Sequence, residues 1–570
     1  MGISAKKCCY RTEKCKEHMR YSKFLICLLA LVCLFQDLAF AAEEQKHLIY
    51  FKDKVDSPFS VQNPHRFLSA KAIERRQKQN ISITPQDLPV NPAYVAALRE
   101  LGISVWYTSR WFNAAVVQCS SEKLAEAQNL PFVKASQNLN RITASSNGAQ
   151  SVAKPVAAED AFAFSSALQS SDYGQARQQA AMLGLLDLHA AGYNGSGMSI
   201  AVFDTGFPAV NTLPAFSHLF QNNQIRATYD FVANTANVYG SNAHGTMVLS
   251  TMAAYAPGQM IGTAYGADYY LFRTEDVSSE HNLEEINWLL AAEFADSAGV
   301  DIINSSLGYK VFDAPSQSYN YNQMDGNTAI ITRAADYAAA KGILVVVSAG
   351  NDGASSSVWQ RIGAPADADS VLTVGAVNAA GNLAAFSSYG PTADGRIKPD
   401  VVALGQLAYV FTPAGQVVQS NGTSFSSPIM AGMAACLWQA FSNRSNIEML
   451  NYIRSIGSQA ASPDNRLGYG IPDYRNSAAG IPRLPVRDEV IITNPVKDNA
   501  LTLTLGGDYS KGTAVVHIFD TAGRLLYKQE LQAHHFQHTL SIGASIPKQG
   551  IYLCRVSTGS KATTVRFLKL

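Results

Sequence analysis

Three residue types that together can cut an amide bond stand in three short segments of this chain. They are Asp204 in Phe-Asp-Thr-Gly (203–206), His244 in His-Gly-Thr (244–246) and Ser424 in Gly-Thr-Ser-Phe-Ser-Ser-Pro (422–428). A serine hydroxyl is a weak nucleophile at neutral pH and needs a base beside it. An imidazole serves as that base when a carboxylate fixes its tautomer and stabilises its charged form. Each segment alone has an ordinary reading: a turn residue after a strand, a polar residue at a helix start, an N-cap. The weight lies in their joint occurrence, each at a strand end or a helix start.

The apolar run 198–203 follows the turn-like Tyr-Asn-Gly-Ser-Gly of 193–197 and predicts a buried strand of a parallel sheet. Asp204 then stands at its carboxyl end, where open α/β sheets place their sites. His244 opens a run with helical periodicity over 244–254, and Ser424 opens another over 424–440. Pro428 is expected in the first turn of the latter, where a missing N–H costs little. A helix N-terminus beside the nucleophile favours negative charge developing there. Two further strand candidates end in polar turns. One is 343–347, followed by Ser-Ala-Gly-Asn-Asp-Gly, and the other lies in Asp-Ile-Ile-Asn-Ser-Ser-Leu-Gly at 301–308.

In the order Asp, His, Ser these segments resemble the subtilisin family of serine peptidases, over roughly residues 175–480. The resemblance implies an α/β fold: a subtilisin-like parallel sheet with helices on both faces. It implies that Asp204, His244 and Ser424 are catalytic, and that Asn351 with the Ser424 N–H forms the oxyanion hole. It also implies that Ser306, Leu307 and Gly308 line one wall of the primary specificity pocket and Gly350 the opposite wall. Lys-Pro-Asp-Val at 398–401 is a structural segment of the same family. A related family carries Glu in place of the His and Asp in place of the Asn; His244 and Asn351 argue against it. The chemistry requires no cofactor. Calcium is common in the family, but no carboxylate cluster here has convincing loop spacing, so a structural calcium is unsupported and a metal site stays unassigned.

At 570 residues the chain has room for several domains. With 47% hydrophobic and 16% charged residues it is globular, and a net charge of +1 gives no ground for a nucleic-acid partner. Residues 1–41 read as a signal peptide: a Lys/Arg-rich start, twelve apolar residues over 24–35, and Ala39-Phe40-Ala41 as the cleavage site. Twelve residues are too few to span a bilayer. Five of the eight cysteines fall in this region, and Cys119, Cys436 and Cys554 fall in three different units, so no disulfide scaffold is expected.

Residues 42–141 read as a small α/β unit, with a strand at 47–51, a helix at 91–101 ended by Gly102, strand material over 105–117 and a helix at 121–130. Its position between signal peptide and peptidase suggests a propeptide, and the resemblance to the subtilisin family implies that such a unit acts as intramolecular inhibitor. An Ala/Ser/Gln-rich linker at 142–178 is the expected processing region. The peptidase domain is read as 179–476, with a polar, aromatic-containing insertion at 309–328. A linker at 477–486 leads to 487–570, where seven short apolar runs predict a β-sandwich. Asn-Pro at 494–495, Gly-Ile-Tyr at 550–552 and the final Lys569-Leu570 resemble the C-terminal sorting domain of the type IX secretion system. His534, His535 and His538 have no Cys or carboxylate placed to complete a metal set, and read as a polar loop.

The expectation is a self-processing zymogen of a serine endopeptidase acting on proteins or peptides. It is exported through the periplasm to the exterior or cell surface by secretion machinery that reads its C-terminal domain. The alternative is a non-catalytic surface binding or adhesion protein on the same scaffold. Loss of a triad residue would have favoured it, and none is lost.

Overall fold

The computed structural model describes residues 44–142, 162, 164, 168–356, 359–477, 490–492, 494–496, 499–505, 509, 513–532, 537–559 and 561–570. The signal-peptide reading of 1–41 and His534 and His535 lie outside the described residues, as does most of each linker.

A four-stranded antiparallel sheet opens the described chain: β1 (Gln45–Phe51), β2 (Ser104–Ser109), β3 (Ala114–Cys119) and β4 (Val133–Ile142), in the order β2-β3-β1-β4. Its helices are α1 (Ala70–Lys78), α2 (Pro92–Glu100) and α3 (Ser121–Gln128), each with a side-chain N-cap, from Ser69, Asn91 and Ser120. The strand material over 105–117 is two strands, because Asn113 at φ 49° turns the chain back. The helix at 70–78 and the strand at 133–142 go beyond the elements that the sequence pattern predicts.

The central sheet has seven parallel strands. They are β5 (Ser199–Asp204), β6 (Ile225–Asp230), β7 (Asp268–Arg273), β8 (Ile302–Ser305), β9 (Leu344–Ser348), β10 (Leu372–Val377) and β11 (Val401–Leu404). Their order is β11-β10-β9-β8-β5-β7-β6, with every pairing parallel. Strands buried on both faces read as continuous apolar runs, and these do. Successive side chains point to opposite faces. Ile200, Val202, Leu344 and Val346 therefore enter one core, and Ala201, Phe203, Val345 and Val347 the other. The first core is covered by α4 (His244–Ala253) and α7 (Thr423–Ala440), the second by α5 (Asn282–Ala298) and α6 (Ile330–Ala340). Each fully buried Val or Ile contributes about 1.5–3 kcal/mol, so this two-sided core is what holds the strand ends in place.

The N-terminal unit packs on α5 and α6. Leu48, Trp111, Ala114, Val116 and Leu139 join the second core, while Ile49, Phe51, Ala115 and Val117 face the unit's own core. At the junction the fully buried Asp296 of α5 receives three guanidinium groups: Arg75 at 2.5 Å, Arg76 at 2.8 Å and Arg110 at 2.7 Å. Glu293, one turn earlier, accepts Ser109 Oγ and the backbone N–H groups of Arg110 and Trp111. Asp87 takes Arg76 and Lys341, each at 3.0 Å. Buried charges that are fully paired are tolerable, but removing one partner is costly.

The C-terminal strands form two sheets. One joins β12 (Val490–Ile492), β13 (Ala500–Leu505) and β16 (Gln537–Ser541); the other runs β15-β14-β17-β18, comprising Leu525–Gln532, Thr513–Phe519, Gly550–Ser557 and Ala562–Lys569. The inward residues of both, among them Leu501, Leu503, Val516, Ile518, Cys554 and Phe567, share one apolar core, which makes this a β-sandwich. His538 belongs to a strand here, not to a loop. Cys119, Cys436 and Cys554 are buried free thiols.

Candidate active site

Asp204 is the last residue of β5 and is fully buried. Its Oδ1 accepts His244 Nδ1 at 2.8 Å, Thr205 N at 2.7 Å and Thr205 Oγ1 at 3.1 Å. Its Oδ2 has no hydrogen-bond partner among the described residues. A carboxylate at Nδ1 requires the proton there, which leaves His244 Nε2 free to accept one. Burial works against the imidazolium of His244. The charge and hydrogen bond of Asp204, with Glu275 adding to them, outweigh that and raise its pKa above the ordinary value.

His244 is the first residue of α4, and its N–H donates to Asn242 Oδ1. The helix start must come close to the strand end for the 2.8 Å contact to form. Gly245 makes that possible: a Cβ there would lie 2.2 Å from Gly206 O and 3.0 Å from Asp204 Cβ.

Ser424 is the second residue of α7 and is 9% exposed. The helix begins at Thr423, so Pro428 is its sixth residue and not in its first turn as expected. Proline lacks the N–H that would bond the carbonyl four residues back, which is that of Ser424. Ser306 Oγ supplies the missing donor, at 2.9 Å from Ser424 O. Ser306 is itself held by Asn304 Nδ2, and Asn304 Oδ1 accepts Ser427 Oγ. The end of β8 is thus tied to the first turns of α7. The His244 ring lies beside this helix, its centroid 6.1 Å from that of Phe425.

Asn351 follows β9 and is exposed. Its Oδ1 accepts both Thr423 N at 2.9 Å and Thr423 Oγ1 at 3.0 Å. Two donors on the oxygen fix the amide's orientation and leave Nδ2 as the outward donor. Thr423 Oγ1 in turn accepts Gly350 N at 3.1 Å. Thr423 is a positioning residue that the sequence motif contains but whose role only the fold reveals. Leu307 is half-buried and Gly308 exposed; Gly350 is half-buried at φ 102°, with its carbonyl accepting Ser388 N. Lys398, by contrast, is buried against Asp400 at 2.9 Å, with Thr373 Oγ1 and Val371 O completing its donors, in keeping with a structural role for 398–401.

A cavity of about 370 Å³ opens beside His244, between Leu307, Gly308 and Tyr309 on one side and Glu275, Glu280 and Glu284 on the other. These three carboxylates come within 4.8 Å of one another, a grouping that sequence spacing did not reveal. Burial raises the pKa of Glu275 and Glu284, and burial with Asp313 nearby pushes Glu280 up to about 7. Glu275 accepts the hydroxyls of Tyr309 and Thr274, and Glu284 the backbone N–H groups of Asp276 and His281.

Models of three protein families match the chain. The subtilase family matches residues 195–470, a peptidase S8 propeptide domain of Bacteroidota matches 46–153, and a secretion system C-terminal sorting domain matches 491–569. Subtilisin DY from Bacillus licheniformis is 32% identical over 272 residues, covering 48% of this chain and 87% of that protein. Subtilisin Savinase from Lederbergia lenta is 31% identical over 304 residues, covering 53% of this chain and 97% of that protein. Among solved structures, the epidermin leader peptide processing serine protease (EpiP) from Staphylococcus aureus aligns with a TM-score of 0.49 at 17% identity, covering 76% of this chain and 97% of that one.

Proposed function

The chain belongs to the subtilase family, and from that premise we propose that Asp204, His244 and Ser424 are the charge-relay set of this secreted serine endopeptidase. The observation that carries the assignment is the 2.8 Å contact from His244 Nδ1 to a fully buried Asp204, made at the start of a helix whose ring side chain abuts α7. Ser424 Oγ attacks the scissile carbonyl while His244 Nε2 takes its proton. The oxyanion of the tetrahedral intermediate is held by Asn351 Nδ2 and the Ser424 N–H, at the positive end of α7. His244 then protonates the leaving amine, and water hydrolyses the acyl-enzyme by the same route in reverse. None of these steps uses a cofactor. Because His244 must be neutral to act as base, its raised pKa places the acid limb of kcat/KM above that of an ordinary histidine.

Ser306, Leu307 and Gly308 on one side and Gly350 on the other are the proposed walls of the primary specificity pocket. The proposed organisation is a propeptide over 42–141, a processing region within 142–178, a peptidase domain over 179–476 and a sorting domain over 487–570. The propeptide would act as an intramolecular inhibitor, and the sorting domain would engage secretion machinery.

The test is capture by a fluorophosphonate, which reacts with activated serines. Modification of Ser424 in the secreted wild-type protein, mapped by mass spectrometry, is the expected result. An unmodified Ser424 in a processed protein would overturn the assignment.

The buried charge network gives the propeptide reading a separate test. Asp296→Asn, made in a Ser424→Ala background so that the chain stays intact, takes the paired carboxylate from the buried Arg75 and Arg110 and leaves Arg76 with Asp87 alone. The cost should be about 3–5 kcal/mol, charged to docking of the N-terminal unit. Hydrogen–deuterium exchange in α1 and β2 should then rise about 100-fold or more while β5, β8 and β9 stay protected. Unchanged protection of α1 would show that the apolar contacts alone hold the unit.

A further inference from the structure

The two proposed pocket walls are joined by a side chain that neither motif contains. Tyr309 pairs with Ala364 through Tyr309 N to Ala364 O at 2.8 Å and the return bond at 3.2 Å, which carries the 306–308 wall alongside Gly363. Lys310 then turns its stem across Gly363. A Cβ at Gly363 would lie 2.8 Å from Lys310 Cγ and 3.0 Å from its Cε, so only glycine fits beneath it. The ammonium reaches the opposite wall, donating to Asp352 Oδ2 at 2.5 Å, Arg361 O at 3.0 Å and Trp359 O at 3.4 Å. Asp352 follows Asn351 directly, and its Oδ2 lies 3.7 Å from where a Gly350 side chain would begin. Lys310 is 10% exposed.

We propose that Lys310 is a specificity determinant of this peptidase: its stem floors the primary pocket, so that the enzyme cleaves after short, uncharged residues such as Ala, Ser or Gly. The inference rests on the pocket walls proposed above. A side chain descending between Leu307–Gly308 and Gly350 meets the four-carbon stem where a pocket open to Gly363 would take an aromatic ring. Charge is not rewarded in either sign. An ammonium has three donors, and all three have acceptors here, so none remains for an acidic side chain. The Asp352 carboxylate is already paired, so a basic side chain gains no unmatched counter-ion.

The experiment is the ratio of kcat/KM for peptides with Phe against Ala before the scissile bond, measured within each enzyme so that active concentration cancels. The wild type should favour Ala. One methylene of pocket space is worth roughly 10–200-fold in such ratios, so Lys310→Ala should raise the Phe-to-Ala ratio by at least about tenfold. Lys310→Met keeps the stem and removes the charge, and its ratio should stay within about threefold of wild type. A wild type that prefers Phe, Leu, Glu or Lys overturns the proposal without any variant. So does an unchanged ratio in Lys310→Ala, or a Met variant that behaves like Ala. Fluorophosphonate capture of wild-type Ser424 separates the two readings: a labelled enzyme with the wrong ratio sinks only the pocket, and an unlabelled one sinks the catalytic assignment and the pocket with it.

Discussion

Ser424→Ala should lower kcat by about 10⁶-fold and leave the N-terminal unit attached by its peptide bond. The magnitude is the one measured for removal of the equivalent serine in subtilisin itself, a relative of this chain. What survives should be the contribution of the oxyanion donors and of binding, roughly 10³–10⁴ over water. The fold has no reason to suffer. The hydrogen bond that ties this residue to β8 uses the Ser424 carbonyl, which alanine keeps, and the donor is Ser306. Stability should therefore stay within about 0.5 kcal/mol of wild type, as for substitutions that touch no packing feature. Intact-mass measurement of the purified variant decides the matter of processing. A single species that begins before Gln45 is the expected result. A fully processed Ser424→Ala protein, prepared free of other proteases, would show that another enzyme performs the cut.

The parts of this site legible in sequence are those that local rules govern. An apolar run ending in Asp204, a helix start at His244 and a Gly-Thr-Ser helix entry each depend on a few neighbouring residues, and the structure puts them at a strand end and two helix starts. The seven C-terminal strands among the described residues were legible for the same reason, since alternation over three to eight residues is a local signal. What escaped depends on partners far along the chain. Pro428 lies one turn deeper in its helix than local rules predict, and the donor that replaces its N–H comes from Ser306, 118 residues before the carbonyl it serves. The strand at 133–142 is poor in apolar residues and forms because β1 offers it an edge. Asp296 looks like an ordinary helix residue until Arg75 and Arg76, more than 200 positions away, close on it. Lys310 belongs to a polar insertion by composition, yet its stem crosses Gly363 because Tyr309 pairs with Ala364. Glu275, Glu280 and Glu284 were missed because their spacing fits no cation loop, and only the packing of α5 against the cleft brings them together.

Asp204→Asn should lower kcat by about 10⁴-fold while leaving the protein at least as stable. The substitution keeps the shape and exchanges a charged acceptor for an amide. Serine-peptidase triads altered in this way lose about 10⁴ in kcat, and subtilisin loses about 3 × 10⁴ when its aspartate is removed. The physical cause is the tautomer. A carboxylate at 2.8 Å from Nδ1 demands a proton on that nitrogen, whereas an amide N–H turned toward Nδ1 drives the proton to Nε2. A protonated Nε2 cannot accept the hydroxyl proton of Ser424. Stability should not fall, because Asp204 is a fully buried charge whose Oδ2 has no partner among the described residues, and a neutral amide costs less to bury. The pH profile gives a third readout, and its sign follows from the opposing effects on His244. Burial alone lowers the imidazole pKa, and the charge of Asp204 is the largest effect that raises it. With that charge gone, the folded-state pKa must fall, so the acid limb of the residual kcat/KM moves to lower pH. A structural role for Asp204 would predict the reverse pattern: lost stability, a limb that does not move, and activity recovered in whatever fraction of the chain still folds.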